Sequence, residues 1–265
     1  MTGWEMVAVV LAGLTAGSIN AVVGSGTLVT FPVLLAVGLP PVTASISNGI
    51  GLVPGNLTGA IGYRRELAGL GGLVWRLLPA SVGGAVLGAV LLVRLPASAF
   101  EAVVPALVGL AVVLVAVQPW LQRRLAARRA RRPGGDTSTP GERPGPGRLA
   151  LLATGAAVTG TYGGYFGASQ GVLQIGIFGL LLREPLQRLN AVKNVLTLAV
   201  NAVSAVAYVV VAGDRVDWTA AGLVAAGSLI GGWLGARVGR RLPAPVLRGA
   251  IVLLGVVAII VLVTR

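Results

Sequence analysis

The chain is built from long apolar runs that carry almost no charge, and no other feature narrows its possible folds as much. Each run is about 17 to 35 residues long, the length a helix needs to cross a hydrocarbon layer about 30 Å thick. The runs are continuous instead of alternating, so they predict helices and not the strands of an outer-membrane barrel. Composition agrees: 55% of residues are hydrophobic and 11% charged, whereas about a quarter are charged in a water-soluble domain. The fold class expected is an all-α polytopic membrane protein. Met1 to Met6 has no basic lead, and no small-residue cleavage site ends a short apolar core, so the first helix is expected to remain in the mature protein.

The runs also repeat. Gly17 stands seven residues before Gly24-Ser25-Gly26, with Asn48, Asn56 and Tyr63 beyond; Gly160 stands seven before Gly167-Ala168-Ser169, with Asn194, Asn201 and Tyr208 beyond. Further on, Ser81, Gly84, Gly88 and Leu95-Pro96-Ala97 match Ser228, Gly231, Gly235 and Leu242-Pro243-Ala244 about 147 residues later. A shared offset over that many positions predicts two homologous halves, a common plan among membrane transporters. Residues 1–119 and 148–265 are the expected transmembrane repeats, and 120–147, with the basic run Arg123 to Arg132 and then Pro133 to Gly147, the expected polar linker.

Residues 4–38 form one apolar tract broken at Gly24-Ser25-Gly26, too long for one comfortable crossing and short for two. Spans are expected next at 42–62, 70–93 and 98–119. In the second half the tract 149–182 breaks at Gly167 to Gly171, and spans are expected at 186–212, 218–239 and 244–264. Each broken tract is a helical hairpin or a broken helix crossing once. Positively charged loops stay cytoplasmic. The hairpin places Arg64-Arg65, the linker, Arg183, Arg188, Arg237, Arg240 and Arg241 inside, with Asp214 to Asp217 and both termini outside. A single crossing would put the acidic loop inside. The charge count therefore favours hairpins, and with them inverted repeats.

There is no cysteine and no histidine, so disulfides, haem, iron–sulfur and thiolate or imidazole metal sites are excluded. No Asp or Glu lies within the middle of a span, which argues against a buried proton relay or a membrane enzyme. An ion-coupled carrier would have to use backbone carbonyls or Asn, Ser and Thr oxygens. The net charge of +13 reflects cytoplasmic loops and a linker able to attract anionic lipid headgroups; no aromatic interleaving points to nucleic acid.

Glycine breaks inside a membrane tract free backbone groups that lipid cannot satisfy, so they survive inside protein or along a wet cavity. A helix restarting there turns its free N–H groups toward the cavity, which suits an anion. Gly24, Ser25, Gly26 and Thr27 in one half, and Gly167, Ser169 and Gln170 in the other, would cup a small oxyanion, with Asn20 and Gln174 as further donors. Asn48 and Asn194 follow each break at equivalent places and would contact substrate, an ion or a neighbouring helix. Lys193 is the single lysine and lies one to two turns into a span. It is either a cation for an anionic substrate or a side chain snorkelling to the interface. Gly84, Gly88, Gly231 and Gly235 read as close-packing positions.

The motif Gly-x-x-Asn-Ala-x-x-Gly-Ser-Gly, with Phe31-Pro32, Gly38-Leu39-Pro40-Pro41, Ala44 to Asn48 and Gly62-Tyr63-Arg64-Arg65, resembles the sulfite exporter TauE/SafE family over nearly the whole chain outside the linker. The resemblance implies a permease of the bacterial inner membrane for sulfite, sulfonates or related organic anions, without cofactor or metal, often acting as an exporter. A carrier working by alternating access is the expectation; an anion channel, a carrier of non-sulfur organic anions, a non-transporting scaffold and a homodimeric assembly stay open. Gly163-Gly164 stand where the first half has Asn20-Ala21, so the site is expected to be asymmetric.

Overall fold

The computed structural model describes residues 1–130, 144–182 and 184–237, which are helices and short connections with no strand among them. The first broken tract forms α1 (Gly3–Val22) and α2 (Thr27–Ala36), followed by α3 (Pro41–Gly62), α4 (Gly71–Arg94) and α5 (Ala97–Ala130). The second forms α6 (Pro146–Tyr165) and α7 (Gln170–Leu181), followed by α8 (Leu186–Ala212), a 3₁₀ turn at Gly213–Arg215 and α9 (Trp218–Arg237). Helix α5 runs past its expected end at 119 and takes in the first residues of the expected linker. Leu, Arg and Ala there are strong helix formers, so nothing local stops the helix once it leaves the apolar layer. The span expected at 244–264, Arg183, Arg240, Arg241 and Leu242-Pro243-Ala244 lie outside the described residues.

Five helices, α1, α4, α5, α8 and α9, are long and apolar enough to cross a membrane. Helix α3 has the length, at 22 residues, but not the hydropathy. Its Ser45, Ser47, Asn48 and Asn56 are all buried, so the polar stripe faces protein and not lipid. Large apolar side chains such as Leu11, Val113 and Val210 are exposed instead, on the outside of the bundle. So are all five tryptophans. Trp4 and Trp218 mark one end of the bundle and Trp75, Trp120 and Trp233 the other, the pattern of two interfacial belts. Arg124 and Arg237 stack over Trp120 and Trp233, each 4.1 Å from the ring centroid.

Both breaks use the same backbone device. The N–H groups of Val23 and Gly24 donate to Ile19 O, and those of Phe166 and Gly167 to Tyr162 O. Gly24 and Gly167 take the left-handed conformation, with φ of +87° and +78°. That conformation ends a helix cheaply only at glycine.

The halves interlock. Helix α9 of the second half packs on α1 and α3, and α4 of the first half packs on α6 and α8. The small residues face backbone, and they do so reciprocally: a Cβ on Gly84 would strike Ala157 O and on Gly88 Thr161 O, while one on Gly231 would strike Leu14 O and on Gly235 Ser18 O. Gly17 likewise meets Ser228 O, and Gly160 meets Ser81 O. These glycines are packing positions.

Directions follow from the same contacts. Residue numbers rise together along α1 and α9 (Leu14 by Gly231, Ser18 by Gly235) and along α3 and α9 (Gly51 by Val224, Gly55 by Ser228). Helices α1 and α3 are therefore parallel, and α2 must return the chain to the end from which α1 started. The first broken tract is a hairpin. Between α3 and α8 the order reverses, with Gly49 beside Tyr208 and Tyr63 beside Ala191, so these two equivalent spans are antiparallel.

Candidate functional site

At the centre the two breaks touch. Gly24 and Gly171 pack backbone to backbone, and Gly171 N–H donates to Gly24 O at 3.2 Å. The expected cup between two open helix tips is closed: Gly26 N–H is taken by Asn20 Oδ1 at 3.1 Å, and Asn20 Nδ2 donates to Asn56 Oδ1 at 2.8 Å. Asn48 joins the first restart, donating to Thr27 Oγ1 at 3.3 Å and accepting from the Thr30 hydroxyl. In the other half Ser169 donates to Ala111 O of α5 at 3.2 Å, and Thr197 donates to Gln174 Oε1 at 3.1 Å. Several donors near the crossing are buried without a partner: the Ser25 hydroxyl, Gln170 Nε2 and Gln174 Nε2. Such groups are costly in a low-dielectric interior and suit a ligand rich in acceptors.

Lys193 does not snorkel. It is 0% exposed, and Nζ donates to Asn20 O at 2.8 Å and Ala21 O at 3.2 Å. Asn194 Nδ2 adds a bond to Ala21 O at 3.1 Å. These carbonyls belong to the last turn of α1, where the helix leaves acceptors unclaimed and presents the negative end of its dipole. The ammonium meets neutral groups only, and no described carboxylate pairs with it.

Along α3 and α8, residues that sequence reasoning did not place in the site (Ser45, Asn56, Thr197, Asn201, Ser204 and Tyr208) line up with two that it did, Asn48 and Asn194. On α8, Asn194, Thr197, Asn201, Ser204 and Tyr208 recur every three or four residues, the spacing of one helix face. Across from them stand Ser45, Asn48 and Asn56 of α3. A cavity of about 10 Å³, room for roughly one water, lies between them; Thr27, Asn48, Gly163, Asn201, Ser204 and Tyr208 are among its lining residues. Tyr208 also donates its hydroxyl to Gly164 O. The repeat had already marked Asn56, Asn201 and Tyr208, and helical spacing from Asn194 would have found the rest.

Apart from Lys193, the charged side chains among the described residues lie toward the two ends. Arg64, Arg65, Arg188 and Arg237 gather where α3 and α9 end and α8 begins, with Arg188 paired to Glu184 at 3.1 Å and donating to Ala68 O at 2.8 Å. The other end holds Asp214, Arg215 and Asp217, whose backbone N–H bonds Ser47 Oγ at 2.9 Å.

The model of one family, described as Sulfite exporter TauE/SafE, matches residues 9–262. A "Probable membrane transporter protein" of Haemophilus influenzae is 25% identical over 240 residues, 89% of this chain and 86% of that protein. The "Probable membrane transporter protein YfcA" of Escherichia coli strain K12 is 28% identical over 230 residues, 86% of this chain and 77% of that protein. No solved structure matches. Apolar spans, a buried lysine at a crossing of broken helices and these relatives describe a multi-pass membrane transporter. With a family model that covers almost its full length, the chain belongs to the sulfite exporter TauE/SafE family.

Proposed function

We propose that the protein is a secondary transporter that exports small anions, sulfite or organosulfonate-type sulfur anions first among them, across the bacterial inner membrane. The observation that carries this reading is Lys193: a fully buried ammonium, with neutral partners only, beside the contact of the two breaks. An oxyanion arriving there would gain a charge-assisted partner. Donors from Ser25, Gln170 and Gln174, with Asn20, Thr27, Asn48, Ser169 and Asn194 behind them, would complete its shell. The closed Gly24–Gly171 contact then belongs to a state between the two open ones, and opening it from either side in turn is alternating access. The antiparallel arrangement of α3 and α8 and the reciprocal interlocking support inverted repeats. The arginine-rich end is the cytoplasmic one in this reading, and carries the linker.

The test is counterflow in proteoliposomes with sulfite, thiosulfate, sulfoacetate and taurine, comparing wild type with Lys193→Met. Saturable flux of a sulfur anion, lost in the variant while the protein keeps its thermal unfolding profile, is the expected result. Flux that survives the substitution removes Lys193 from the site; absence of flux for every anion overturns the substrate class.

A further inference from the structure

The pocket that holds the Lys193 ammonium has a twin in the other half. Helices α1 and α2 match α6 and α7 at an offset of 143 residues, which pairs Gly17 with Gly160 and Ile19 with Tyr162; α3 matches α8 at 145, which pairs Asn56 with Asn201 and Tyr63 with Tyr208. Under the same offsets Asn20 and Ala21, whose carbonyls hold the Lys193 Nζ, correspond to Gly163 and Gly164, and Asn48 corresponds to Lys193 and not, as first expected, to its neighbour Asn194. Asn48 and Gly163 line one cavity, that of about 10 Å³ between α3 and α8. One difference opens it: Asn48 is shorter than lysine, whereas the place of the Asn20 side chain is taken beside Gly163 by the Gln170 amide.

The twin offers what a small cation needs. It lies at the carboxyl end of α6, where the dipole is negative. No backbone N–H claims Gly163 O, because Phe166 and Gly167 both donate to Tyr162 O. Thr27, Asn48 and Asn201 bring neutral oxygens. The Ser204 hydroxyl, on a residue 3% exposed, lines the cavity; beside Tyr208, whose own proton goes to Gly164 O, it keeps its oxygen lone pairs for a further ligand. Room for roughly one water excludes a sulfur oxyanion, with several oxygens around a central atom. Among the described residues no cluster of three or more carboxylate, imidazole or thiolate groups exists, so a transition metal has no ligand set. Oxygen ligands around a break in a transporter helix suit a hard monovalent ion.

We infer that this cavity binds a sodium ion, held by the end of α6 with Thr27, Asn48, Asn201 and Ser204, as the counterpart of the Lys193 ammonium. One half carries its cation covalently and the other takes it from solution. The ion bridges α2, α3, α6 and α8 and so ties the two halves in the closed state. Its role as the coupling ion rests on the transporter reading; its binding does not.

Thermal unfolding of the full chain in detergent, with no sulfur anion present, separates the two. Sodium chloride is compared with equimolar choline chloride. The wild type should unfold at a higher temperature in sodium, saturably. Ser204→Ala should raise the half-saturating sodium concentration about tenfold. Asn48→Lys places an ammonium in the cavity, and should unfold at one temperature in both salts, at or above the wild type in choline. Equal unfolding of the wild type in both salts overturns the proposal, as does a sodium shift that survives unchanged in Ser204→Ala, which carries the test alone should Asn48→Lys fail to fold. A sodium shift with no anion flux in proteoliposomes supports the ion site and retires the anion reading separately.

Discussion

The pockets at the ends of α1 and α6 share a backbone and differ in chemistry. Both helices end at a left-handed glycine with two N–H groups on one carbonyl, and both abut the companion span that follows. In the first pocket Asn20 caps the restart and Lys193 fills the space beside it; in the second, glycine and asparagine stand instead and a cavity remains. The difference teaches that the repeat conserves what positions groups, while side chains at equivalent places are free to diverge in charge. In the proposed reading, the asymmetry of the substrate site comes from that one side chain in one half.

The frame is where the largest effects are expected. Gly84→Leu and Gly231→Leu should each cost about 3 kcal/mol or more, because a side chain there meets backbone that has nowhere to go. Equal loss of folded protein for the two variants, read by size-exclusion profile, would uphold the reciprocal frame; a harmless Gly231→Leu would break it. Next is the charge. Lys193→Met keeps the volume and should lower anion flux about 10- to 100-fold with little loss of folded protein, whereas Asn48→Leu, at the equivalent place, should lower sodium dependence more than anion affinity. If both variants act alike, the two pockets do one job and the comparison fails.

Smaller effects sharpen it. Asn20→Gly makes the first half resemble the second and frees Gly26 N–H and Asn56, at a cost of about 1 kcal/mol; the expected readout is a lower unfolding temperature. Tyr208→Phe removes one bond to Gly164 O and should cost about 1 kcal/mol. The smallest change is expected at Thr2→Ala, which removes the capping box with Glu5 at the start of α1, worth about 0.5 to 1 kcal/mol. Orientation has its own check in a cysteine-free chain: single cysteines at Asp214 and Arg64 should label from opposite sides, with Asp214 outside, and labelling from one side would overturn the topology.

Much of the frame was legible because its signals are local. The spans at 70–93, 186–212 and 218–239 emerged as α4, α8 and α9, since length and continuous hydropathy decide a crossing helix without reference to neighbours, and 42–62 emerged as α3, a helix of the right length but lower hydropathy. The breaks were legible too, because glycine adopts the left-handed conformation that ends a helix at least cost. The extension of α5 to Ala130 was missed because an arginine-rich stretch reads as polar linker, although its residues are good helix formers. The open cup between the breaks was also not what folding produced: Gly24 and Gly171 are 147 residues apart, and their contact depends on packing that no local pattern encodes.

By itself the sequence determined a helical membrane protein with a recurring pattern of residues, the places where its helices break, and a lone lysine at depth. Hydrophobicity, glycine backbone freedom and charge are properties of residues, readable wherever they stand. Only the tertiary structure decided that α4 and α9 would exchange halves, that Lys193 would end on the carbonyls of Asn20 and Ala21, and that its twin would remain a cavity. Those outcomes depend on which backbone atoms approach one another across about 70 residues or more of chain, and that is a property of packing alone.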